Sequence, residues 1–248
     1  MLFRSYLLAR ATDTIADTAL IPVADRLAAL DSLRRRIQES GGPTPDFSRF
    51  AAAQGDTQAT AAEKVLLQRI GDALQVLDSC EPGDLALIRE VLTTITSGQE
   101  LDLRRFAGCS TANLGALPDL DALDDYTYRV AGCVGQFWTR MCRAHLYPGP
   151  DFNEEFLLAS GIRFGKGLQL VNILRDLPKD LQQGRCYLPS DELQKHGLVP
   201  ADLLDLKTWP RLRPFYYEIL EIAEGHLAAG WGYCCTLPRS PARVRIAC

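Results

Sequence analysis

No apolar run in the 248-residue chain approaches the roughly 20 residues that a membrane span needs, so a spanning helix is not expected. Basic residues form no run that dominates a face. With 27 of them against 31 acidic residues the formal net charge is −4, which argues against a nucleic-acid partner. A secretory leader is not expected either, because Met1 is followed almost at once by a charged amphipathic segment. The eight cysteines include no CxxC pair, and His145, His196 and His226 lie apart without metal-ligand spacing. The cysteines therefore read as reduced core residues of a cytoplasmic protein, and the histidines as structural or exposed. Strand signals, internal repeats, low-complexity tracts and a dinucleotide-binding glycine fingerprint are also wanting.

What the chain does have is helical periodicity, broken by short Gly/Pro/Asp stretches such as "ESGGPTPDF" (39–47), "CEPGD" (80–84), "YPGPDF" (147–152) and "LVPADL" (198–203). The pattern predicts an all-α class, one domain over 1–248, and helices near 2–19, 22–39, 58–79, 83–97, 119–145, 151–177 and 208–235. Two of these, carrying "YTYRVAGCVGQFWTRMC" (126–142) and "EEFLLASGIRFGKGLQLVNILRD" (154–176), are too apolar and too rich in small residues for the surface. They read as central helices that could wall a cavity. Ordinary tight helix packing explains their Gly and Ala equally well.

Two acidic sets stand out. "LARATDTIADTALIP" (8–22) places Asp13 and Asp17 four residues apart, on one helix face, where like charges cost an isolated helix about 0.2–0.5 kcal/mol. The second set is Asn172, Asp176 and Asp180, with Gln169 and Arg175 beside it. A single such pair is most often a solvated surface patch. Two pairs, each with a nearby arginine (Arg10, Arg175) and each embedded in apolar sequence, are better explained by magnesium. This hard ion takes one or two carboxylates and completes its shell with phosphate oxygens and water, so facing helices of this kind make a diphosphate clamp. The cation would also let an acidic chain attract an anionic substrate. Pro178, between Asp176 and Asp180, is expected to kink or end its helix, which makes Asp176 the safer ligand.

The segments "RATDTIAD" (10–17), "YTYRVAGCVG" (126–135) and "NILRDLPKDLQQGRCYLP" (172–189), in that order, resemble the squalene/phytoene synthases, which join two prenyl diphosphates head to head. The resemblance implies an isoprenoid-synthase-type helical bundle around a central cavity and assigns magnesium to Asp13, Asp17, Asn172, Asp176 and Asp180. It places Tyr6, Arg10, Gln169 and Arg175 at diphosphate, with Tyr187 in the same substrate-binding set, and Tyr126 near the reacting carbocation. Asp13, Asp17, Asp176, Asp180 and Tyr126 are then the catalytic group. Tyr128, two positions on from Tyr126, should face elsewhere.

Family members usually carry a further helix before the "RATDTIAD" helix and about two more after the position of "LPR" (237–239), and "ARVRIAC" (242–248) looks like the opening of the next one. The resemblance therefore leads us to expect that these 248 residues alone are poorly active and expose apolar surface. Asp13-Thr14, in place of an Asp-Asp pair, and "YTYRVAGCVG" favour squalene as the product, formed from two farnesyl diphosphates and reduced with NADPH. Phytoene or dehydrosqualene synthesis, or prenyl diphosphate binding without turnover, are the alternatives. A cytoplasmic enzyme of this kind could sit at a membrane periphery to release its product.

Overall fold

The computed structural model describes residues 2–55, 58–147 and 153–237, and the chain divides into two compact units, Met1–Arg104 and Arg105–Cys248. The all-α expectation holds, since the strands amount to two residues each. The closing "ARVRIAC" segment lies outside the described residues.

In the first unit the helices are α1 (Leu2–Asp17), α2 (Val23–Gln38), α3 (Ser48–Ala53), α4 (Gln58–Gln68), α5 (Ile70–Asp78) and α6 (Pro82–Arg105). Apolar residues at helical spacing supply the core: Leu8, Ala11 and Ile15 from α1, Leu30, Leu33 and Ile37 from α2, Leu74 and Leu77 from α5, Ile88 and Leu92 from α6. Two buried arginines fasten it. Arg26 donates to the Ala16 carbonyl at 2.7 Å and closes the end of α1, while Arg36 holds Asp78 through contacts of 2.5 and 3.2 Å. The single helix expected over 58–79 is interrupted at Arg69, where Asp72 N bonds the Arg69 carbonyl at 3.0 Å and tightens the chain by one residue.

The second unit comprises strand β1 (Gly115–Ala116), α7 (Leu120–Thr127), a π-helical turn (Tyr128–Gly132), α8 (Cys133–His145), α9 (Glu154–Gln182), β2 (Arg185–Cys186), α10 (Ser190–Lys195), two 3₁₀ turns (Pro200–Leu204 and Leu206–Thr208) and α11 (Trp209–Thr236). Asp119 caps α7 by accepting from Ala122 N at 2.8 Å, and Asn153 caps α9 by accepting from Phe156 N at 3.0 Å. Helix α9 is the centre of the unit, flanked by α8 and the π turn on one side and α11 on another. Its Leu170, Ile173, Leu174, Leu177 and Leu181 share a core with Phe215, Ile219 and Ala223 of α11.

Pro178 does not end α9, which continues to Gln182. A proline at this position leaves the Leu174 carbonyl without its intrahelical donor. Tyr216 of α11 supplies one, its Oη donating to Leu174 O at 3.4 Å, and the Trp209 ring holds Tyr216 edge-on at 5.3 Å. Asp176 and Asp180 thus stay on one unbroken helix.

Candidate active site

The stripe of α1 that carries the first acidic pair begins with exposed Tyr6 and continues through Arg10 to Asp13 and Asp17. Thr14 and Thr18 turn their hydroxyls inward onto the Arg10 and Thr14 carbonyls, at 2.9 and 2.6 Å. Arg10 Nη1 donates to Asp13 Oδ2 at 2.9 Å, Arg10 Nη2 pairs with Glu63 of α4, and Gln99 of α6 donates to Asp13 Oδ1 at 3.3 Å. Burial, and then the negative charge of Asp17, push the Asp13 carboxyl above the usual range, although Arg10 and Gln99 pull the other way. For Arg10, burial works against the charge, but the hydrogen bond and charge of Glu63 and then Asp13 outweigh it and raise its pKa. Neither Glu63 nor Gln99 belongs to a sequence motif; each reaches α1 from far along the chain.

In the second unit Gln169, Asn172, Arg175, Asp176 and Asp180 all lie on α9, with Asn172 donating to Gln169 Oε1 at 3.5 Å. Arg175 grips its neighbour Asp176 through Nε and Nη2, at 2.8 and 2.6 Å, and this hydrogen bond holds the Asp176 carboxyl below the usual range. Tyr126 and Tyr187, far apart in sequence, come together: their rings stack with centroids 4.8 Å apart, and Phe106 meets Tyr187 edge-on at 5.3 Å. The β1–β2 pairing puts Tyr187 there, with Gly115 N bonded to Gly184 O at 3.0 Å and Leu117 N to Cys186 O at 3.1 Å. Gly184 has φ +82°, and a Cβ there would lie 2.4 Å from Ser110 N, so only glycine fits the crossing. The Cys186 thiol between them is pushed up to about 12 by burial, in keeping with an inert core cysteine.

A groove of about 380 Å³ runs between α8, α9 and α11. Val130, Ala131, Val134, Gly135 and Trp138 form one wall, Gly161, Phe164, Gly165 and Leu168 the other, and Tyr233 contributes from α11. Both apolar segments marked in the sequence therefore line it. The packing explanation for their small residues holds as well, because a Cβ on Gly135 would sit 1.9 Å from Gly161 O and one on Gly165 2.3 Å from Ala131 O. Along α9, at about 3.6 residues per turn, Gly161, Gly165, Leu168, Asn172 and Asp176 fall on one stripe. The apolar groove runs into polar residues on the same helix face. Tyr128 does face elsewhere, bonding Gln136 at 2.9 Å beneath Lys166.

Magnesium suits the first acidic pair. Asp13 holds its proton more tightly because it is partly buried and because the charge of Asp17 is near, and a divalent cation would offset both. Among the described residues no three acidic, His or Cys side chains cluster as a ready metal cage. An ion that takes one or two carboxylates and completes its shell with phosphate and water needs none. Nor, among the described residues, is any helix long and apolar enough to cross a membrane. His145 is exposed, His196 stacks on Phe215 at 5.8 Å, and His226 accepts from Arg163 at 3.4 Å, so the histidines have the structural or exposed roles expected of them.

The family model described as squalene/phytoene synthase matches residues 2–248. The chain belongs to the squalene/phytoene synthase family. Presqualene diphosphate synthase of Zymomonas mobilis is 35% identical over 161 residues, covering 64% of this chain and 51% of that protein. The enzyme of the same description from Rhodopseudomonas palustris is 29% identical over 229 residues, covering 88% and 75%. A bifunctional lycopene cyclase/phytoene synthase of Colletotrichum graminicola is 38% identical over 135 residues, 53% of this chain and 22% of that one. The chain thus spans about half, or less, of several curated squalene/phytoene synthase relatives. A TcSQS structure in complex with the ligand BPH1237 superposes with a TM-score of 0.71 at 19% identity, over 95% of this chain and 63% of the other. A ligand-bound dehydrosqualene synthase does so with 0.63 at 19%, over 99% and 72%. At that identity these two likenesses establish the squalene/phytoene synthase fold and nothing finer.

Proposed function

We propose that residues 1–248 act as one synthase-like domain that condenses two prenyl diphosphates head to head, with Asp13, Asp17, Asn172, Asp176 and Asp180 as its magnesium ligands. The observation that carries this is the α9 stripe, where an apolar groove fit for a prenyl tail continues into the polar residues fit for its diphosphate head. Magnesium bound there would neutralise diphosphate oxygens and make the group a better leaving group.

Arg10 and Tyr6 on α1, and Arg175 and Gln169 on α9, would donate to diphosphate oxygens. As the allylic C–O bond breaks, its electron pair leaves on diphosphate and the second chain's alkene supplies the electrons of the new C–C bond. The apolar walls of the groove offer the cation no nucleophile, and the Tyr126–Tyr187 stack offers aromatic faces and a phenol to stabilise it or take its proton. The product we favour is squalene, formed through a cyclopropyl diphosphate that NADPH reduces. The Zymomonas relative favours a second reading in which the reaction stops at that cyclopropyl diphosphate.

Incubating the full-length protein with farnesyl diphosphate and magnesium, with and without NADPH, and identifying the product tests this. Squalene formed only with NADPH supports the first reading, and presqualene diphosphate in both cases the second. Phytoene from a C20 substrate, or dehydrosqualene regardless of NADPH, overturns both. Diphosphate binding without release would make the chain a non-catalytic member. Asp13→Ala and Asp176→Ala should each abolish turnover with the helical circular dichroism intact; if either unfolds the protein, that aspartate is structural.

A further inference from the structure

The guanidinium assigned above to diphosphate is already engaged on both terminal nitrogens. Arg10 Nη1 serves Asp13, from its own helix, and Nη2 serves Glu63, from α4. Arginine grips a phosphate best through two parallel N–H bonds, and here each terminal nitrogen already serves a carboxylate. The local charge is also unfavourable to an anion, with one guanidinium against the three carboxylates of Asp13, Asp17 and Glu63. Asp13 is a metal candidate and its contact to Arg10 is local to the helix. Glu63 has no such role, and its side chain is only 17% exposed while the Arg10 side chain is 42% exposed, so the open side of the pair is the arginine.

We propose that Glu63 is an internal gate on the Arg10 anion site, holding the Nη2 edge until a diphosphate oxygen takes it, and so weakening ground-state diphosphate binding and hastening release. This rests on the assignment of diphosphate to Arg10. The exchange is close to isoelectronic for the arginine, one anionic oxygen for another, so the ligand gains only the difference between them. An enzyme that must shed diphosphate in each turnover benefits from a smaller gain. A partly exposed ion pair contributes little to folding, so the effect of Glu63 should appear in ligand affinity rather than in stability.

The test is calorimetric titration of the full-length protein with inorganic diphosphate in the presence of magnesium. Glu63→Gln should lower Kd by about two- to fivefold, the equivalent of removing one partly exposed competing ion pair. It should slow diphosphate release in stopped-flow displacement and leave the unfolding midpoint unchanged. Glu63→Asp, which keeps the charge on a shorter arm, should lie between it and the parent. In the Arg10→Ala background Glu63→Gln should bring no tightening, because the two act through one guanidinium. If Arg10→Ala leaves Kd unaltered, the diphosphate assignment falls and the gate with it. If Arg10→Ala weakens binding while Glu63→Gln leaves it equal or weaker, the assignment stands and the gate alone is refuted.

Discussion

Replacing Gly135 by alanine sets two terms of opposite sign against each other. Alanine in a helix interior is favoured over glycine by about 1 kcal/mol, a gain that would apply here if space allowed. Space does not allow it, since the added Cβ would stand 1.9 Å from Gly161 O and 2.5 Å from Gly161 C, where contacts under 3.0 Å essentially never occur. The obstacle is backbone in the middle of α9. It cannot rotate away, and its helix partner is pinned by Thr139, whose Oγ1 donates to Gly135 O at 2.8 Å and accepts from Tyr233 Oη at 3.1 Å. Helices α8 and α9 must separate, losing contacts along the crossing, so the cost lies at or above the upper end of the ~1–3 kcal/mol typical of overpacking. The net expectation is a loss of about 2 kcal/mol, or a drop of about 4–8 °C in Tm. Gly225, in the interior of α11, meets only Arg163 Nη2 at 3.9 Å. Gly225→Ala should therefore stabilise by about 0.5–1 kcal/mol. Urea unfolding followed by circular dichroism measures both changes. Equal shifts, or a stabilised Gly135→Ala, would refute the argument that backbone contact dictates the small residues of α8 and α9.

Three further outcomes are expected. Tyr216→Phe should speed hydrogen exchange of the α9 amides beyond Pro178, and Pro178→Ala, which restores an N–H for Leu174 O, should reverse it in the double variant; a double variant as labile as Tyr216→Phe would show that the phenol is incidental. Arg36 holds the Asp78 carboxyl below its ordinary range, so the pair contributes stability above the unfolded-state carboxylate pKa and loses it as pH falls through the lowered folded value. Asp78→Asn should cost about 1–3 kcal/mol at neutral pH and flatten that acid limb in pH-dependent unfolding, because it leaves a buried guanidinium without its anion. Asp13 has the opposite sign: its raised pKa gives stability present below the unfolded value and lost as pH rises through the folded one, so Asp13→Asn should not destabilise the neutral protein.

The long helices were legible because apolar residues recur at three and four and Gly/Pro clusters separate them. Helices α3 and α10, six residues each, carry too little periodicity to register, and the turn at Arg69 hides in an otherwise continuous amphipathic pattern. That α9 does not end at Pro178 depends on a tertiary partner, since only α11 reveals the donor that replaces the missing N–H. The same holds for the site. Its acidic residues were visible by spacing, and Tyr126 and Tyr187 by resemblance, but no local signal connects Glu63 or Gln99 to α1, or stacks Tyr187 on Tyr126.

The π-helical turn at Tyr128–Gly132 stores one extra residue between α7 and α8. Closing i→i+5 instead of i→i+4, the wide turn absorbs that residue and leaves the faces of α7 where a continuous helix one residue shorter would put them. Straightening the turn into ordinary α-helix with all five residues kept would instead rotate α7 by about 100° about its axis relative to α8. Tyr126 would leave Tyr187, Leu123 would leave the core, and Asp124 would lose Lys166, now 2.7 Å away. What the bulge protects is the facing of α7, and the loss of one residue here should disturb that facing less than the same loss in the middle of α7.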